Sequence, residues 1–219
     1  MISTLNVRSQ THNSCEDSLF VKESDLYIWG GVFDGCSTGT KSHWASQTFS
    51  YIFSKHINPV QNSNLMSVRK DLVTMMETLN INYMNLLSTC MLFFYDKSSK
   101  TLDVRVFGDG YYYVDDVEYE IEQNNIPDYM AYHLDSQESF REFLNMYPVV
   151  TYYNVSNFRI CSDGIKSISI DQFHITDLNP MALLMHPPVS ENYLQRMWNK
   201  LKNNHFTIHD DLSIISYHE

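Results

Sequence analysis

Three apolar, strand-like runs in this chain lead into an aspartate beside glycine: Trp29 to Phe33 before Asp34-Gly35, Val104 to Phe107 before Gly108-Asp109-Gly110, and Phe158 to Cys161 before Asp163-Gly164. A fourth run is the mirror image. Asp210-Asp211 opens the alternating stretch Leu212 to Tyr217, and an early acidic pair, Glu16-Asp17, precedes Ser18-Leu19-Phe20-Val21. Strands packed side by side would collect these carboxylates at one rim. Several carboxylates in one cleft repel strongly at low effective dielectric, so such a cluster persists only if protons or divalent cations neutralise it. The chain is therefore a candidate two-metal hydrolase.

A single Asp-Gly after an apolar run is also a hairpin signal, because glycine accepts the positive φ of a tight turn. That reading stays open for the copies at 109 and 163. The set as a whole favours a site: a glycine after a ligand aspartate removes steric cover, so that its carbonyl or a bound water can also reach a cation. Hard divalent ions want such all-oxygen surroundings.

A length of 219 residues with 43% apolar content fits one domain spanning residues 1–219 with a substantial core. The net charge of -11 argues against nucleic acid or an anionic membrane as partner, since counterion-release binding needs basic patches. No stretch approaches the roughly 18 apolar residues of a membrane span, and residues 1–17 lack an apolar core behind a basic start. A soluble, cytoplasmic monomer is expected. Cys15, Cys36, Cys90 and Cys161 form no Cys-x-x-Cys pair, and the nine histidines form no H-E-x-x-H pair, so reduced thiols are expected and zinc is not.

Strand-like segments fall near 19–22, 26–33, 89–95, 101–107, 111–121, 149–153, 157–160 and 212–217. Ala45, Phe49, Ile52, Phe53 and His56 mark a helix over Ser42 to His56, and a second helix is predicted without a break from Leu65 to Leu87. Shorter helices are signalled by Asp135 as N-cap with Glu138 three residues on, by Asn179-Pro180, and by Ser190 ahead of Tyr193. The acidic alternation from Asp115 to Glu122 reads as a solvated, protected sheet edge. Strands in hairpins with paired helices between them make the class α+β.

In this arrangement the chain resembles the metal-dependent serine/threonine protein phosphatases of the 2C type, in the family's motif order. Cys15-Glu16-Asp17-Ser18-Leu19-Phe20 matches the second half of the opening motif. Val32-Phe33-Asp34-Gly35, Gly39 and Ala45-Ser46 match the next, and Leu87-Ser88-Thr89-Cys90 is similar to the Gly-Thr-Thr-Ala strand start. Gly108-Asp109-Gly110-Tyr111 resembles Gly-Asp-Ser-Arg, Ser162-Asp163-Gly164 matches Ser-Asp-Gly, and Asp210-Asp211-Leu212-Ser213 resembles the closing Asp-Asn-x-(Ser/Thr).

The resemblance implies a β-sandwich of two mainly antiparallel sheets flanked by helix pairs. It implies that Asp17, Asp34, the Gly35 carbonyl, Asp163 and Asp210 hold two Mn²⁺ or Mg²⁺ ions, that Asp109 belongs to a third position, and that Glu16 orients metal-bound water. Two ions about 3.5 to 4 Å apart acidify a bridging water for in-line attack on phosphorus. The implied substrate is a phosphoserine or phosphothreonine protein, with Asp34, Asp163, Glu16 and His12 in the catalytic set. No protein nucleophile is needed, so Cys36 is not read as one.

Departures from the pattern are specific. His12 stands where the family has a phosphate-binding arginine, four residues before Glu16, with Arg8 and Lys41 as the nearby substitutes; a histidine lacks arginine's bidentate fork. Cys36 takes a position that holds a histidine in some members. The region around 122–148 reads as a reduced flap over the cleft. Two rivals follow: a catalytically weak or inactive phosphatase-like binding module, and a metal-dependent phosphoesterase acting on small molecules.

Overall fold

The computed structural model describes residues 1–36, 42–123, 127–172, 174 and 176–219. One antiparallel sheet runs in the order β1 (Ile2–Val7), β12 (Leu212–His218), β9 (Asn157–Cys161), β6 (Gly110–Val114), β7 (Val117–Ile121). The other runs β2 (Asp17–Glu23), β3 (Tyr27–Asp34), β4 (Cys90–Asp96), β5 (Thr101–Phe107), β8 (Val150–Tyr152). A two-stranded ribbon, β10 (Ile168–Ile170) with β11 (Phe206–Ile208), stands apart.

The two sheets face each other across an apolar layer that includes Ile28, Val32, Phe93, Leu102, Phe158, Ile160 and Ile215. Aromatic rings fill its middle: Phe158 lies 5.0 Å from Phe93 and 5.2 Å from Tyr217, centroid to centroid. Such offset pairs add to the burial of their area. Because side chains alternate along a strand, the other face of each sheet also needs a cover. On the β3 side α1 (Ser42–Phe53), α2 (Asn62–Leu79) and α3 (Gln137–Met146) supply it, with Phe49 and Phe53 of α1 against Phe33. On the β12 side α4 (Pro180–Leu184) and α5 (Tyr193–Asn203) do so, Leu194, Trp198 and Leu201 packing with Leu5 and Ile214. The result is an α+β sandwich with three helices on one outer face and two on the other.

Four local expectations are corrected. The second helix stops at Leu79, because Asn80 takes a left-handed conformation (φ 50°) and its N–H reaches back to the last turn; asparagine does this more readily than most residues. Tyr83–Asn85 is only a short 3-10 turn. The stretch 111–121 is a hairpin rather than one strand: Asp115 and Asp116 both have positive φ, as a two-residue loop requires, and Asp115 Oδ1 accepts from both backbone N–H groups of Ser156 and Asn157. Its second strand, β7, is the sheet edge and carries the exposed Glu118 and Glu120.

At α3 the cap is Ser136, whose Oγ accepts from Ser139 N at 3.0 Å, while Asp135 accepts only from Ser136 N. Ser136→Ala is therefore expected to cost about 1 kcal/mol in urea unfolding and Asp135→Ala much less; equal costs would return the cap to Asp135. Asn192, not Ser190, precedes α5, and Ser190 contributes its carbonyl to Tyr193 N. At α4, Asn179 caps as expected, accepting from Ala182 N.

Candidate active site

The acidic residues stand at one end of the sandwich because of strand register. Asp17, the first residue of β2, is directly opposite Asp34, the last of β3. Like charges so placed repel. The other sheet brings its own acids to the same end: Cys161 of β9 pairs with Ile214 of β12, so Asp163 just beyond β9 and Asp210 just before β12 come together. Asp109 lies between β5 and β6 at that end.

Burial raises the carboxyl pKa of Asp34 well above its ordinary value, and the charges of Asp17, Asp163 and Asp210 push it further. Asp17 is raised by burial first and then by Asp211 and Asp163, against the hydrogen bond from Ser162. Asp163 is raised by burial and by Asp210 and Asp109. These acids are thus within electrostatic reach of one another. Asp109 is the outlier: its Oδ1 already accepts from Gln123 N at 2.5 Å.

Neighbouring side chains hold the acids in place. Ser162 Oγ donates to Asp17 Oδ2 at 2.6 Å and accepts from Ser213 N, tying β9 and β12 to β2. Ser167 Oγ accepts from Asp210 N at 2.9 Å and donates to the Gly164 carbonyl. Thr89 grips the Asp34 backbone in both directions, its N–H donating to Asp34 O and its Oγ1 accepting from Asp34 N. Ser88 bridges to Gly35.

Two of the Asp-Gly glycines are not turn residues. Neither Gly35 nor Gly164 has positive φ, but a Cβ on Gly35 would sit 2.2 Å from Ser42 O, and one on Gly164 only 1.8 Å from Asp211 O. They are glycine because another backbone presses on them. The third motif follows the turn reading, with Gly108 at φ 95°.

Asp211 was not among the expected site residues, although its place beside Asp210 in the closing motif was visible. It is 1% exposed. Its two oxygens accept from the N–H groups of Ser9 and Glu16, which fixes the loop between β1 and β2. In the same loop His12 Nδ1 lies 3.1 Å from Asp211 Oδ2. Burial pulls the His12 pKa down, but its close contact with Asp211, helped by the charges of Glu16 and Asp210, outweighs this and leaves it above its ordinary value. Arg8 is spent on the same loop, donating to Asn13 O. Gly39 and Lys41 lie outside the described residues.

The donor set fits hard divalent cations. As the side chains stand, no three of the described histidine, cysteine, aspartate and glutamate residues converge closely enough to hold an ion. Asp17 Oδ1, however, is a buried carboxylate oxygen that receives no N–H or hydroxyl from the described residues and has only the neighbouring Asp34 carboxyl to share a proton with. A charged oxygen left so is costly unless a cation answers it. The repelling carboxylates around it ask for the same counter-charge. The described residues include no Lys or Arg held against these carboxylates by an ion pair.

No protein-family model and no curated protein sequence matches the chain. Solved structures do match along its whole length. The serine/threonine phosphatase Stp1 from Staphylococcus aureus is 13% identical at a TM-score of 0.65, covering 100% of this chain and 94% of that one. A bacterial serine phosphatase variant is 13% identical at 0.67, with 100% and 98% covered. RsbX in complex with magnesium is 14% identical at 0.60, with 97% and 92% covered. At these identities the likeness is one of fold.

Proposed function

We propose that this chain, which has the protein phosphatase 2C fold, is a metal-dependent serine/threonine phosphatase. The observation that carries the reading is the buried pair of opposed carboxyls, Asp17 and Asp34, at an acidic rim where no described Lys or Arg is held against them by an ion pair. Asp17, Asp34, the Gly35 carbonyl, Asp163 and Asp210 would hold two Mn²⁺ or Mg²⁺ ions, with Asp109 toward a third. Bound there, such ions supply an acidified water for attack on phosphorus and positive charge for the phosphoryl oxygens.

The remaining work falls to the chain. Ser162 and Ser167 keep the carboxylates aimed, so that no reorganisation is needed when substrate arrives. His12, its Nδ1 turned to Asp211, has Nε2 to donate to a phosphoryl oxygen, and Asp211 favours the charged ring that does so. One donor in place of a guanidinium fork predicts a high KM for phosphate esters. Glu16, in the loop that Asp211 anchors, would orient water. A phosphoprotein rather than a free nucleotide is the substrate of choice, because the described residues offer no basic cradle for a polyphosphate at this rim.

The His12–Asp211 contact also favours a second reading, a phosphate-binding module without turnover. Release of phosphate from p-nitrophenyl phosphate and from a phosphothreonine peptide, with Mn²⁺ and with EDTA, separates the two. Turnover at least about 10³-fold above the EDTA control is expected. Turnover unchanged by EDTA would reject the metal site, and peptide binding without turnover would select the module.

A further inference from the structure

The C-terminal end of α2 and the segment Ala131–Asp135 border an open pocket of about 590 Å³. Its walls include Met76, Ile81, Tyr83 and Tyr132, and its polar rim carries Glu77 and Asp135 without a single cation. Tyr83 and Tyr132 are 44% and 45% exposed, and their rings meet edge to face at 6.1 Å. Two large aromatic side chains held open in this way form an apolar wall that water alone does not reward.

Side-chain contacts lead from the pocket toward the acidic rim. Tyr132 packs 5.7 Å from Tyr129, a buried ring whose hydroxyl meets the Cys36 side chain and lies within electrostatic reach of Asp34. Cys36 itself follows Asp34-Gly35. Tyr132, Tyr129 and Cys36 thus form a line of neighbours from the aromatic wall to the Asp34 strand end.

We propose that the pocket receives an apolar side chain of the phosphorylated substrate, flanked by a basic residue that meets Glu77 and Asp135. The occupant is argued from the apolar lining, from Glu77 and Asp135 as the charged groups among the lining residues, and from the side-chain contacts that lead toward Asp34; the proposal rests on the phosphatase reading and names the sequence that the site selects. Tyr132 and Glu77 are then specificity residues that touch substrate but not the reacting phosphate.

The test uses fluorescein-labelled phosphothreonine peptides in which one leucine is moved from two to five residues either side of the phosphothreonine, each compared with its alanine counterpart. Binding is read by anisotropy, and turnover of p-nitrophenyl phosphate is read in parallel. One spacing is expected to bind about tenfold tighter with leucine than with alanine, and a lysine beside that leucine to bind tighter than a glutamate. Tyr132→Ala should erase the leucine preference and Glu77→Lys reverse the charge preference, both with p-nitrophenyl phosphate turnover unchanged, because that substrate is too small to reach the pocket. Equal binding of leucine and alanine peptides at every spacing would overturn the proposal, as would a preference that survives Tyr132→Ala. Anisotropy reads the pocket whether or not phosphate is released, so absent turnover with the leucine preference intact would overturn only the hydrolase reading.

Discussion

Asp34→Asn is expected to abolish phosphate release, by at least about 10³-fold in kcat, and at the same time to stabilise the metal-free protein. Both outcomes come from one charge. Asp34 stands opposite Asp17 and within reach of Asp163 and Asp210, so an amide there removes a proposed ligand and relieves a repulsion. The relief is on the order of 1 kcal/mol, the scale set by a single unit of pKa shift.

The sign of the pH dependence follows from the direction of the shifts. Asp17, Asp34 and Asp163 all have their pKa raised in the folded chain, chiefly by burial. An unfolded aspartate titrates near 4, so above that pH the folded state binds more protons than the unfolded one, and stability falls as pH rises through the raised values. Urea melts of the metal-free protein should show lower stability at pH 7.5 than at pH 5, and Asp34→Asn should flatten the difference. Mn²⁺ should raise the melting temperature of the parent at neutral pH and do so far less in the variant. An Asp34→Asn protein that turns over normally would remove Asp34 from the site, and a flat pH profile in the parent would show that the rim acids do not repel.

Gly164→Ala is the second large effect. A methyl group at Gly164 meets the Asp211 carbonyl, with its oxygen at 1.8 Å and its carbon at 2.8 Å, and neither is the tip of a flexible side chain. The backbone of Asp211 must move, and Asp211 is the residue that anchors Ser9 and Glu16. A loss of about 3 kcal/mol or more is expected in denaturant unfolding, with turnover falling beyond what the lost folded population explains. A variant as stable as the parent would mean that the approach of the two backbones is not required.

The rim acids and most strands were legible because the signals there are local: an apolar run, then a carboxylate, then a small residue. What those glycines do was not legible. The same dipeptide marks a close backbone approach at Gly35 and Gly164, whereas the glycine ahead of Asp109 serves a left-handed turn, and only tertiary neighbours tell these apart. Strand β1 was missed because its inward positions are Ser3 and Leu5. The buried serine, whose Oγ accepts from Leu194 N, breaks the apolar alternation that announces a strand. The overlong second helix and the single strand at 111–121 failed for one reason, that asparagine and aspartate took the positive φ for which glycine is the usual sign. Asp211 was visible as a motif position, but its role depends on a loop some two hundred residues earlier.

That separation has a consequence in time. Strand β12 fits between β1 and β9, pairing Leu212 with Val7 and Ile214 with Cys161. Asp17 and Asp211 therefore come within reach of each other only after the chain has closed its longest loops, and pairing over such separations makes folding slow. During synthesis the sheet carrying β2 to β5 can assemble first, with Asp17 and Asp34 already opposed but half of the acidic rim absent. The capacity to hold a cation tightly would then be the last property this protein acquires as it folds, and divalent ions would slow its unfolding far more than they speed its refolding.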